Sequence, residues 1–152
     1  MVNMLKKAWT EVVKPMVQRP DRVQVAAICF KGTGADRKVL LITSRDTKRW
    51  ILPKGWPIDG LEANAAAAQE AWEEAGVKAA NINPEPLGSY DYDKRMDGGG
   101  IVSCATQVFA VEVDHLEDSF PEAQERTRKW VKPTEAAEMV DELGLQAILK
   151  QF

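Results

Sequence analysis

The chain has 152 residues, 45% hydrophobic and 28% charged, an ordinary globular composition with enough length to bury one substantial core. A net charge of −3 argues against a broad surface for coating nucleic acid, and no run approaches the ~18 consecutive apolar residues of a membrane-spanning helix. Two cysteines in apolar runs, Cys29 and Cys104, and a lone histidine, His115, cannot supply a zinc cluster or a histidine-based triad, and a reduced, cytoplasmic setting is the default.

Met4, Leu5, Ala8, Trp9, Val12, Val13 and Met16 share one stripe, which predicts an amphipathic helix over residues 3–17. This segment, residues 1–18, is expected to dock on its own domain or on a second subunit, so monomer and homodimer both stay open. Lys6, Lys7, Glu11 and Lys14 interrupt the apolar core that a secretory signal would need, and they give membrane-surface binding little support. Pro20 closes the connection to a single domain over residues 19–152.

Strands are predicted at Val23–Phe30 and Val39–Thr43, joined by a glycine-containing turn. Ser44, Arg45, Lys48, Arg49 and Lys54 then form the densest basic stretch of the chain. It leads into Trp50-Ile-Leu-Pro-Lys-Gly-Trp-Pro and an alanine-rich run that ends Gln69-Glu-Ala-Trp-Glu-Glu-Ala-Gly76.

Alanine is the best helix former, and Gly76 after Ala75 reads as a left-handed stop. On such a helix Glu70, Glu73 and Glu74, at i, i+3 and i+4, leave one side within roughly a 100° arc. Crowded carboxylates raise one another's pKa unless a cation lies between them, and an all-oxygen donor set favours a hard ion, Mg²⁺ or Mn²⁺. A solvated helix face is the ordinary origin of Glu-x-x-Glu-Glu. The glycines on either side are what point beyond it.

Downstream, an alternating strand is predicted at Leu87–Tyr92. A polar loop over residues 93–100 ends in three glycines and reads either as a hairpin connection or as a loop closing on substrate. Ile101–Val113 is the longest apolar strand and is expected near the sheet centre. Arg126–Val131 reads as a further strand, Thr134 as the N-cap of a helix, and Gly144 as the break before a last short helix. Strands on both sides of one helix predict an α/β fold with a mixed sheet between helices.

The central segment resembles the Nudix box, Gly, five residues, Glu, seven residues, Arg-Glu-aliphatic-x-Glu-Glu-x-Gly-aliphatic. Gly55, Glu70, Glu73, Glu74, Gly76 and Val77 fall in register, while Leu61 replaces the first Glu and Gln69 the Arg. In the family those two residues form a salt bridge that braces loop against helix. Losing both leaves no unpaired charge, and Glu62 is placed to accept a bond from Gln69 instead. The resemblance implies an α/β/α sandwich over roughly residues 22–150, with the N-terminal helix outside it.

It also implies a pyrophosphohydrolase with Gly55, Glu70, Glu73 and Glu74 as metal ligands. Val39-Leu-Leu-Ile-Thr-Ser-Arg and Arg49-Trp-Ile-Leu-Pro-Lys-Gly are similar to the diphosphoinositol polyphosphate phosphohydrolase branch, by which Arg22, Ser44, Arg45 and Lys54 are expected near substrate phosphates. The implied substrates are diphosphoinositol polyphosphates, dinucleoside polyphosphates or nucleoside diphosphate derivatives. The general base is drawn from the box glutamates or Glu122. A Nudix-fold module that binds a phosphorylated ligand without useful catalysis is the competing expectation.

Overall fold

The computed structural model describes residues 22–152. The predicted amphipathic helix and the homodimer built on it lie outside the described residues. The elements are β1 (Arg22–Lys31), β2 (Lys38–Thr43), β3 (Trp50–Ile51), β4 (Lys54–Gly55), α1 (Ala63–Ala75), β5 (Val77–Ile82), β6 (Gly88–Arg95), β7 (Ile101–Leu116), β8 (Arg128–Val131), α2 (Pro133–Met139) and α3 (Leu143–Gln151).

The sheet runs β3-β2-β1-β7-β5, with β4 beside β1, β6 beside β7 and β8 beside β2. β1 and β7 pair in parallel and the other ladders are antiparallel, so the sheet is mixed as predicted.

β1 shows why this is a sandwich. Residues 24–29 are all buried, which requires cover on both faces. Val25, Ala27 and Cys29 pack with Ala66, Ala67, Ala71 and Ala75 of α1. Ala26 and Ile28 point the other way, toward Ala136 and Ala137 of α2 and Leu145 and Leu149 of α3. The alanines of α1 hold the helix backbone close to the sheet, and so fix where its carboxylates emerge. Among the described residues, no helix is long and apolar enough to cross a membrane.

Several expectations change. β5 was not predicted, because residues 78–81 are exposed on a bulged edge strand and carry no alternating pattern. Arg126 is not in a strand: β8 begins at Arg128. Lys132, not Thr134, holds the N-cap position of α2, with Pro133 in the first turn and the Lys132 N–H donating to Glu135 Oε1 at 3.3 Å. The chain breaks at residues 140–142, and Gly144 lies inside α3, where an added Cβ would stand 2.7 Å from that of Tyr90. The glycine run closes a β6–β7 hairpin, in which Met96 N–H donates to Gly100 O at 2.8 Å and Gly99 N–H to Met96 O at 2.9 Å.

Candidate active site

The site is a cleft of about 610 Å³ between α1, the loop over residues 44–49, β4 and the end of β6. β4 brings the loop ahead of α1 onto the sheet through the pairs Val25–Gly55 and Ala26–Lys54. Gly76 ends α1 at φ +70°, and a side chain there would also strike Glu117 O and Phe120. Glycine is required twice over at this corner, which turns the chain from the acidic helix into β5.

One wall is acidic. Glu70 and Glu74 line the cleft with Glu122. The Glu70 carboxylate fills the space over Gly55 that a Cβ would occupy, so the loop approaches the helix at backbone distance. Glu74 is 7% exposed and accepts the Lys54 N–H at 3.2 Å. Burial pushes the Glu74 carboxyl up to about 8, against the pull of Arg126 and the Lys54 N–H. Glu70 is raised too, by burial first and then by the charges of Glu73 and Glu122.

Glu73 stands apart. It does not line the cleft, and its Oε2 accepts from Gln69 Nε2 at 2.8 Å. The predicted Glu62–Gln69 bond is therefore replaced by Gln69–Glu73, while the Glu62 backbone occupies the N-cap position of α1. Among the described residues no three His, Cys, Asp or Glu side chains are gathered in metal-binding geometry.

The cleft is also lined by cations, Arg45, Arg49 and Lys54 with Lys94 and Arg95 from β6, among which stand Asp46 and Asp93. Arg49 is tied to Glu142 at 2.7 Å, whereas exposed Arg45 makes only a 3.9 Å contact with Glu125. Lys54 lies 4.6 Å from the Tyr92 ring centroid, and burial lowers its ammonium to about 8 although Glu74 works against that shift. Ser44 lines the cleft and organises its own loop: its Oγ meets Thr47 Oγ1 at 2.8 Å and accepts the Arg49 N–H at 3.1 Å. Arg22 is exposed at the start of β1, opposite Cys104 of β7, and is not among the cleft residues.

The donor set suits a hard divalent cation. Half-buried Glu70 and buried Glu74 stand one turn apart on α1 and both line the cleft, and the available ligands are all oxygens. Gln69 engages only Oε2 of Glu73, which leaves its other carboxylate oxygen without that partner.

Sequence reasoning missed Lys94, Arg95, Gln24, Tyr92 and above all Arg126, which all line the cleft. Lys94-Arg95 beside three glycines was the one local sign of the hairpin's part in the site. Arg126 had no local sign, since it reaches the cleft by tertiary packing alone.

The fold and site define a class: an α/β/α sandwich that sets an acidic helix against a basic loop. The family described as the NUDIX domain matches residues 20–152, and the chain belongs to it. It is 32% identical over 123 residues to Nudix hydrolase 13, mitochondrial, of Arabidopsis thaliana, covering 76% of this chain and 59% of that protein. It is 28% identical over 119 residues to diphosphoinositol polyphosphate phosphohydrolase 3-alpha of Mus musculus, covering 77% and 68%. A C. elegans Ap4A hydrolase structure superposes with a TM-score of 0.61 at 17% identity, covering 87% of this chain and 96% of that one, a likeness of fold.

Proposed function

We propose that the protein hydrolyses a phosphoanhydride bond, with Mg²⁺ or Mn²⁺, in a nucleoside diphosphate-linked, dinucleoside polyphosphate or diphosphoinositol polyphosphate substrate. The observation that carries this reading is one cleft lined both by the carboxylates Glu70, Glu74 and Glu122 and by the cations Arg45, Arg49, Lys54, Lys94 and Arg95. A phosphoanhydride resists water because its oxygens repel a nucleophile, so a catalyst must present cations to the phosphates and a base to the water. The mouse relative's name supports a densely anionic substrate.

Arg45, Lys54, Lys94 and Arg95 hold the phosphate chain, with Ser44 keeping the Arg45 loop in shape; Arg22, which does not line the cleft, is given no role in this reading. Glu70, Glu74 and the Gly55 carbonyl, with the second carboxylate oxygen of Glu73, would hold the divalent ion. That ion supplies charge neutralisation and Lewis acidity toward the phosphate oxygens. Glu122 has one carboxylate oxygen fixed by Arg126, which leaves the other to take a proton from the attacking water. Lys54 stabilises charge that develops on the leaving phosphate.

The test is turnover of diadenosine polyphosphates, ADP-ribose, nucleoside triphosphates and diphosphoinositol compounds with either ion, with products identified by mass. One class should yield cleaved phosphoanhydride, and the yield should collapse on chelation. Leu61, Gln69 and the Gln69–Glu73 bond favour a second reading, a module that binds phosphorylated ligands. Saturable binding with no cleaved product under any ion would establish that alternative.

A further inference from the structure

We propose that Arg126 is a positioning residue that locks the Glu122 loop to the acidic helix and aims both carboxylates into the cleft. The inference rests on the hydrolytic reading above. The Arg126 side chain is 6% exposed, and its fork reaches three segments of the chain. Nε and Nη2 donate to Glu122 Oε1 at 3.1 and 2.7 Å. Nη1 donates to Thr43 O at 2.9 Å, where β2 ends. Nη2 also stands 3.6 Å from Glu74 Oε1 on α1.

Backbone bonds surround this fork. Glu122 N–H donates to Glu73 O at 3.0 Å, Thr127 N–H to Thr43 Oγ1 at 2.9 Å, and Thr43 N–H to Thr127 O at 3.1 Å.

The two positions of the usual family brace no longer pair: Leu61 is 45% exposed and Gln69 serves Glu73. Arg126 supplies a different brace, which joins the Glu122 loop and the end of β2 to α1. An ion pair that served stability alone would have no need of the cleft. Here two of the three groups joined by Arg126 are carboxylates of the cleft wall, and Arg126 itself lines it. A planar guanidinium can serve three acceptors at fixed angles, whereas an ammonium cannot reproduce that fork.

The experiment compares Arg126→Gln, Arg126→Lys, Glu122→Gln and the Arg126→Gln/Glu122→Gln double variant, on the substrate found above and on metal-free protein. Arg126→Gln should lower kcat on the order of 10–100-fold with KM within about threefold, as losses of groups that orient catalytic side chains do. The double variant should be no slower than the slower single one, because Arg126 acts through Glu122. Arg126→Lys should recover only part of the loss, and it replaces Arg126→Gln in the comparison if that variant does not fold.

In metal-free protein, amide exchange at Glu122 and Thr127 should accelerate about tenfold or more while β1 and β7 stay protected. Wild-type kcat in Arg126→Gln, strictly additive kcat losses, or unchanged exchange at those two amides would overturn the proposal. If wild-type protein cleaves nothing, the hydrolytic reading fails separately, and the exchange result alone decides whether Arg126 is the lock.

Discussion

The backbone N–H of Lys54 donates to the Glu74 carboxylate across 3.2 Å, tying the loop ahead of α1 to that helix's last turn. In the same stretch, Gly55 lets the Glu70 carboxylate sit against the loop backbone. The acidic wall is thus built from a loop and a helix that position each other, and a change in either should be felt at both carboxylates.

Gly55→Ala tests this closeness. A methyl group would overlap the Glu70 carboxyl, so loop and helix must part or the carboxylate must turn away from the cleft. We expect a modest stability loss, about 1–3 kcal/mol by analogy with overpacked sites. The loss of kcat/KM should be disproportionate, at least ~100-fold with saturating ion, given the precision that catalytic placement demands. Equal activity per folded molecule would remove the Gly55–Glu70 contact from the account.

Glu74 gives a pH prediction with a definite sign. In metal-free protein its carboxyl is held at about 8, above the ordinary 4.5, mainly by burial. The folded chain therefore keeps a proton that the unfolded chain has lost. Stability from this group is fully present below about pH 4.5 and declines as pH rises through 8. Glu74→Gln should flatten this part of the profile, and Mg²⁺ should raise Tm more at pH 8 than at pH 5.5, because ion and proton compete for one pocket. A Tm gain from Mg²⁺ that is independent of pH would separate Glu74 from ion binding.

The sandwich was legible because residues 25–29 of β1 and 108–111 of β7 are apolar and buried on both faces, and α1 is nearly all alanine where it meets the sheet. The Glu70–Glu74 pair and the basic loop were legible because each lies in one contiguous stretch. The rest depended on tertiary contacts that no local pattern announces. β5 escaped notice as an exposed, bulged edge, and Arg126 reached the cleft from a segment that reads as strand. Lys94 and Arg95 read as a polar turn until the β6–β7 pairing carried them to the rim. The spacing of Glu73 was correctly seen as helical, yet its Gln69 partner turns it from the wall it was expected to share.

Gly144→Ala separates fold from chemistry. Its added methyl group would stand 2.7 Å from Tyr90 Cβ and 3.2 Å from Tyr90 Cα, so α3 must lift from β6. Chemical denaturation should show a loss of about 1–3 kcal/mol. This contact lies on the α2–α3 face and reaches the cleft only through Glu142, which holds Arg49, so KM can rise while kcat per folded molecule at low temperature should match wild type within about twofold. A large fall in kcat without a stability loss would show that the two faces of the sheet are coupled.

Lys94 and Arg95 lie at the end of β6, where both line the cleft. Charges there can attract and orient a polyphosphate without touching the bond that breaks. Lys94→Ala and Arg95→Ala should each raise KM about three- to tenfold and leave kcat within about twofold, the pattern of lost uniform binding. The effect should grow with the number of phosphates in the substrate and shrink as salt rises, since exposed charges are screened beyond about 10 Å at 0.1 M ionic strength. Steady-state kinetics at low and high salt on a short and a long substrate would decide the matter. If kcat falls while KM holds in both variants, the hairpin takes part in the chemical step, and its three glycines become the hinge to examine.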